Sequence, residues 1–247
     1  MANDLDEITG PTDRDGRDVN VISKQIRVEV GHGSRIFEIA LWTVGTIPAI
    51  IILATGQLPA LQGFGVLLAG ILPGLIFLFM KVDALAYLRK LQQKIQADAS
   101  QIDNYLEQRV MILQNVVGLV EKSIDLDKDV MKTVSAYRGG GRPSSDTGRN
   151  EASQQLDGIF SRINVAFEAY PDLKAHAAVA DAMRQNSYLQ KEITAARTLY
   201  NDTVAIWNQD IFAWPTKQIV AARAGYTTRI PFSASTESKA AARGKFF

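Results

Sequence analysis

From Ile39 to Met80 the chain carries no charged residue, and outside that run polar and apolar positions alternate with helical spacing. A helix rises about 1.5 Å per residue and a bilayer's hydrocarbon core is about 30 Å thick, so one crossing takes roughly 20 residues. The run is about twice as long as one span needs. Its middle, "GQLPALQG" (Gly56–Gly63), gathers the Gly, Pro and Gln that punctuate turns. The pattern predicts two apolar halves, Ile36–Thr55 and Phe64–Met80, folded as a membrane hairpin. The halves echo each other, "VGTIPAIIIL" against "AGILPGLIFL", each with Gly three residues before Pro. Pro48 and Pro73 are expected to kink their helices, with neighbouring groups meeting the freed carbonyls. Gly45, Ala49, Gly70 and Gly74 are the expected points of close approach. Trp42 and Phe77 complete the candidate anchor. Burial of such a hairpin in a soluble core conflicts with its length, which soluble core helices seldom reach without a charge. The second half is near the lower limit for spanning, so a full crossing and a shallow re-entrant loop both remain open.

The stretch from Lys81 to about Ile124 has no Pro and a single Gly, Gly118. Leu88, Leu91, Ile95, Ile102, Leu106, Val110, Leu113, Val117, Val120 and Ile124 form one stripe at steps of three, four and seven. This pattern begins at the membrane border, which allows the second apolar helix to run straight into it. A shorter helix is predicted at about Asp127–Tyr137, with Val130, Met131 and Val134 inward. "RGGGRPSSDTGRN" (Arg138–Asn150) reads as a loop. It lacks the Gly-Lys-Ser/Thr and the preceding strand of a phosphate-binding loop. A third helix, about Glu151–Ala169, places Leu156, Phe160, Ile163 and Phe167 on one face. Pro171 interrupts at "YPDLKA" and suits the first turn of a last helix, with Asp172 near its positive end. That helix carries Val179, Met183, Ile193, Tyr200, Val204, Trp207 and Ile211, and "WP" (Trp214–Pro215) ends it. The fold class is all-α: a membrane hairpin followed by a four-helix bundle with long antiparallel helices. The expected divisions are a tail (1–35), the hairpin (36–80), the bundle (81–215) and a basic C-terminal tail (216–247).

Charge adds orientation. Lys24, Arg27 and Arg35 precede the run, Lys81, Arg89, Lys90 and Lys94 follow it, and the turn has none. Both ends are therefore expected on the cytoplasmic side. The acidic start "MANDLDEITG" does not read as a cleavable signal peptide. A net charge of +1 gives no global nucleic-acid footprint. With no cysteine, disulfides, thiolate metal sites and a cysteine nucleophile are excluded. After Pro215 basic residues dominate, from Lys217 through Arg223, Arg229, Lys239, Arg243 and Lys245 against Glu237 alone. Pro231, Ser233, Ser235, Ser238 and Gly244 break periodicity there. The segment is expected to be largely irregular or only locally ordered, either a solvated tail or a contact with anionic headgroups or a neighbouring subunit, with Phe246 and Phe247 as an apolar plug.

Three ordered stretches carry a family resemblance. "ASQIDNYLEQRVMILQNVVGLV" (Ala99–Val120), "EAYPDLKA" (Glu168–Ala175) and "AARTLYNDTVAIWNQDIFAWP" (Ala195–Pro215) resemble the LemA family over roughly Leu85 to Pro231. The matching positions are Ser100, Gln101, Ile102, Asp103, Arg109 and Asn115 in the first stretch. In the second they are Tyr170, Pro171, Asp172 and Leu173, and in the third Arg197, Tyr200, Asn201, Asp202, Asn208 and Pro215. The resemblance implies a membrane-anchored protein with a cytoplasmic four-helix bundle and no established enzymatic activity. The chain departs from the family pattern at Ala99, where Trp is usual, and at Gln114, where Pro is usual. Its long N-terminal tail and hairpin also differ from the family's usual single membrane helix.

Candidate chemistry is sparse. His32 and His176 are the only histidines and read as surface polar residues rather than ligands. "DLDKD" (Asp125–Asp129) lacks the Gly and terminal Glu of a calcium loop. Asp103, Arg109, Arg197, Asn201 and Asp202 read as a polar network fixing helix register, with no nucleophile–base pairing visible. No catalytic, cofactor or metal site is expected, and no enzyme. Two functions fit: a membrane-bound scaffold that oligomerises and shapes or organises a bacterial membrane, or an adaptor regulating a transport or signalling partner. A transporter should place ionisable residues within its spans, and this run has none. Tyr105, Val116, Leu119, Tyr188 and Trp214 fall outside a single inward stripe and suggest a contact face. The expected partners are the lipid bilayer, further copies in a large homo-oligomer, and other membrane-organelle proteins.

Overall fold

The computed structural model describes residues 12–13, 16–17, 25–120, 146–169 and 177–232. Its regular structure is helical: α1 (His32–Ala54), α2 (Ala60–Val120), α3 (Asp146–Ala169), α4 (Ala177–Asp210) and α5 (Thr216–Ala224). Two short strands, β1 (Thr12–Asp13) and β2 (Gly16–Arg17), pair antiparallel. The described residues fall into two compact units, one within 24–94 and 205–229, the other within 1–23, 95–204 and 230–247. The boundary between them falls inside α2 and α4.

The first unit contains α1 and the start of α2. α1 begins four residues before the expected Ile36 and runs through Pro48. At its end Thr55 turns its hydroxyl back to the Ile51 carbonyl at 2.8 Å. Gly56 takes φ 64°, a left-handed conformation that costs a glycine little. The Pro59 carbonyl then accepts from the amides of Gln62 (2.9 Å) and Gly63 (3.0 Å), opening α2. The turn is thus shorter than the Gly56–Gly63 expected, because Pro59 suits a helix start and Gly63 serves helix packing instead. α2 runs through Pro73 and past Lys81 without a break to Val120, joining apolar and amphipathic stretches in one helix.

The same unit takes in residues after α4. The described part of the stretch from Lys217 is locally ordered, one of the two expected outcomes. α5 ends on Gly225 at φ 69°, and an extended segment follows. Val28 donates to the Tyr226 carbonyl (3.2 Å) and Thr228 to the Ile26 carbonyl (2.9 Å). The residues entering α1 are therefore stapled to those leaving α5. Val28, Trp207, Ile211, Ile219 and Ala221 are buried beneath this pairing. α5 escapes the sequence pattern because Ile219, Val220 and Ala221 are consecutive, not spaced as a stripe.

In the second unit the expected stripes are buried: Ile95, Ile102, Leu106 and Leu113 of α2, Leu156, Phe160 and Ile163 of α3, Val179, Ile193 and Tyr200 of α4. Val116 is also core, 1% exposed, and so leaves the set expected at a contact face. α3 begins at Asp146, inside the expected loop. Arg149 gains Asp103 as a partner there, which offsets the helix-weakening Gly148. The helix expected at Asp127–Tyr137, the Tyr170–Leu173 motif and the tail from Ser233 lie outside the described residues, as do the side chains of Leu119 and Phe167.

Candidate functional site: the apolar hairpin and its polar clusters

Within the hairpin, contacts run in opposite order along the two helices. Leu53 meets Gly63, Gly45 meets Gly70, Trp42 meets Gly74, and Glu38 meets Lys81. A Cβ on Gly45 would lie 2.5 Å from the Gly70 carbonyl oxygen, and one on Gly74 would lie 2.6 Å from the Trp42 ring. Gly45 and Gly70 therefore permit backbone contact, and Gly74 makes room for the Trp42 ring, where a side chain would force the helices apart. Ala49 is fully buried beside them. Thr43 and Thr46 turn their hydroxyls to the carbonyls of Ile39 and Trp42, so neither leaves an unmet donor. The outer surface is apolar and open: Val44 is 73%, Leu61 86% and Phe79 75% exposed. Pro48 and Pro73 lie on that outer face.

Charges gather where the apolar surface stops. Glu38 binds Lys81 at 2.8 Å and also pairs with Arg223 of α5. Phe77 packs edge-on against Phe37 (5.6 Å), which also meets Trp214 (5.1 Å). A second cluster joins α2 to the residues after α4: Lys217 Nζ lies 2.7 Å from Asp210, and the Tyr87 hydroxyl donates to the same carboxylate at 2.7 Å. Burial pushes the Asp210 carboxyl up, but hydrogen bonds from Lys217 and Tyr87, with the Lys217 charge, hold it below its ordinary value. The same bond to Asp210, then burial, raises the Tyr87 phenol. Trp214–Pro215, in the cis form, joins this turn to α5.

In the second unit Arg109 is 1% exposed. Its guanidinium donates to Asn186 (2.9 Å) and Asp157 (2.8 Å) and stacks over Phe160. Arg197 donates to Ser153 and stacks over Phe232. Burial lowers its pKa, with Asp157 opposing and Arg109 adding to that shift. Arg149 chelates Asp103 at 2.9 and 3.1 Å. The Thr203 hydroxyl donates to Asp98 at 2.8 Å. Asn201 donates to the Phe232 carbonyl (3.0 Å) and accepts from its amide (2.8 Å). Asn208, in the first unit, makes the same paired bonds to Arg229 (2.9 and 2.8 Å). Trp207 donates to the Thr227 carbonyl at 2.9 Å. Tyr200 is buried edge-on to Phe232, and Ile102 is core. Ser100, Gln101, Asn115 and Asp202 are exposed. Sequence reasoning had no signal for Asp157, Asn186 or Ser153, polar residues without a motif. Glu38 did carry one, as the last charge before the uncharged run.

Among the described residues no group of three His, Asp or Glu side chains could hold a metal, and His32 is exposed in the first turn of α1. These clusters bind helices and segments together. The LemA family model matches residues 98–246, more than half of the chain. The chain belongs to the LemA family. A comparison with curated proteins finds no match. The LemA region takes in Arg109, Arg197 and both asparagine clamps, and leaves the apolar hairpin ahead of it. LemA membership fits a membrane-associated protein, and α1 and the start of α2 are long and apolar enough to cross a membrane.

Proposed function

We propose that this LemA protein is a non-enzymatic membrane scaffold, anchored by its hairpin with both termini cytoplasmic, whose copies assemble to organise or shape a bacterial membrane. The observation that carries the reading is the hairpin's outer surface, uncharged from Ile39 to Met80 and with large apolar side chains exposed along both helices. Its two helices are joined by an ion pair at the border, between Glu38 and Lys81. A LemA bundle on an elaborated N-terminal hairpin also looks like MamQ, the magnetosome member of the family. On that likeness the membrane is the inner membrane or the magnetosome membrane derived from it, and the role lies in forming a biomineralization organelle. Tethering confines copies to two dimensions and raises their effective concentration, so weak lateral contacts suffice. Tyr188 (62% exposed) and Trp214 (58%) supply apolar surface for them. The test is particle mass in mild detergent, then electron microscopy after reconstitution into liposomes. Large assemblies with ordered coats or deformed vesicles are expected. Monomers that stay dispersed on unchanged spheres at high protein density would defeat the scaffold.

A further inference from the structure

A cleft of about 450 Å³ opens in the hairpin unit beside the start of α1. Arg27, Arg35 and Arg223 line it, with Glu29, Ser34 and Glu38. Glu38 is already engaged by Lys81 and Arg223. Among the described residues, no ion pair holds Arg27 or Arg35. The first turn of α1 contains no acidic residue, and Gly31 caps it without a side-chain hydrogen bond. The positive end of the helix therefore adds to the charge of the arginines. Buried Val28 and Ile219 give the cleft an apolar floor.

Position narrows the ligand. Arg35 stands one helical turn before Ile39, where the uncharged run begins. Ile36 and Ile39, 66% and 61% exposed, continue from the cleft along α1. With the hairpin inserted, the guanidinium groups lie at the level of the lipid phosphates and the exposed isoleucines at the level of the acyl chains. Planar guanidinium groups bind phosphate oxygens in pairs, more selectively than ammonium groups do. We propose that this cleft is a binding site for the phosphate group of an anionic phospholipid, whose acyl chains run down α1. The proposal rests on the hairpin being a membrane anchor.

The test uses the full chain in mild detergent, with native mass spectrometry counting bound phosphatidylglycerol against phosphatidylcholine and inorganic phosphate as competitor. Phosphatidylglycerol is expected to be retained roughly tenfold better than phosphatidylcholine, and Arg27→Gln with Arg35→Gln to remove that preference. Ser34→Asp should also remove it, by planting a carboxylate in the cleft at a helix start that tolerates one. This second variant keeps the test decisive if the double variant folds poorly. An unchanged preference in Ser34→Asp, or equal loss in Arg89→Gln with Lys90→Gln outside the cleft, would overturn the site. Binding of inorganic phosphate that fully displaces the lipid would assign the site to a soluble anion and overturn the lipid reading. Alkaline extraction of cell membranes separates the two layers of argument. Release of the wild-type protein would refute the anchor itself, whereas integrated protein without lipid preference would refute only the cleft.

Discussion

Among the described residues Asp157 is the one carboxylate paired with Arg109, and it also faces Arg197, so two cations depend on a single acid. Arg109 is 1% exposed and Asp157 37%. Losing the acid strands a buried charge, while losing Arg109 leaves a carboxylate that water can reach. Asp157→Ala should therefore destabilise by about 3 kcal/mol and Arg109→Met by only about 1–2 kcal/mol, despite the larger deletion. Denaturant melts of the two variants check the order. Inside the hairpin, Gly45→Val should cost about 1–3 kcal/mol by forcing a side chain against the Gly70 backbone. Gly65→Ala, with open space around it, should be neutral or slightly stabilising. Thermal melts in detergent distinguish the two, and equal effects would mean that the glycine contact is unimportant. The glycine contact was legible because small residues recur beside proline in both halves. The Arg109 cluster was legible only as an arginine, since its partners stand 48 and 77 positions away in other helices.

Elements are joined by two asparagines seven residues apart on α4. Asn208→Ala should release the Arg229 amide, seen as faster hydrogen exchange, at a cost of about 2 kcal/mol for two bonds. Asn208→Asp should be worse than Ala, because it sets an oxygen against the Arg229 carbonyl. The Asp210 cluster makes stability depend on pH at both ends. A carboxyl held below its ordinary value contributes above about pH 4 and loses that contribution as pH falls through its folded pKa. A phenol held above its ordinary value contributes below about pH 10 and loses that contribution as pH rises through its folded pKa. Asp210→Asn should lower stability at neutral pH and flatten both limbs of the melting profile. The long helices were legible because their stripes persist for many turns. α5 was not, because nine residues with a basic flank resemble a solvated tail until the pairing with Ile26 and Val28 is known.

At the scale of the whole molecule, the all-helical class and the apolar anchor followed from hydrophobic pattern alone. The two compact units did not, because their boundary falls within α2 and α4 and leaves no break in composition. Topology is open to a direct measurement, since the chain has no cysteine of its own. Cysteines placed at Ser23 and Ser235 should both be shielded from an impermeant reagent in intact cells. One placed at Gln62, exposed beside the turn, should react if the hairpin crosses fully and stay shielded if it re-enters. Labelling of only one of the two end positions would rule the hairpin out. The border pair Glu38–Lys81 also has an electrical consequence. A transmembrane potential does work on net charge, about 2.3 kcal/mol per elementary charge moved through 100 mV. Between Ile39 and Met80 there is no side-chain charge for it to act on, and Glu38 and Lys81 cancel at a common depth. The anchor should therefore hold equally well in an energised cell and a depolarised one, its grip set by the lipid alone.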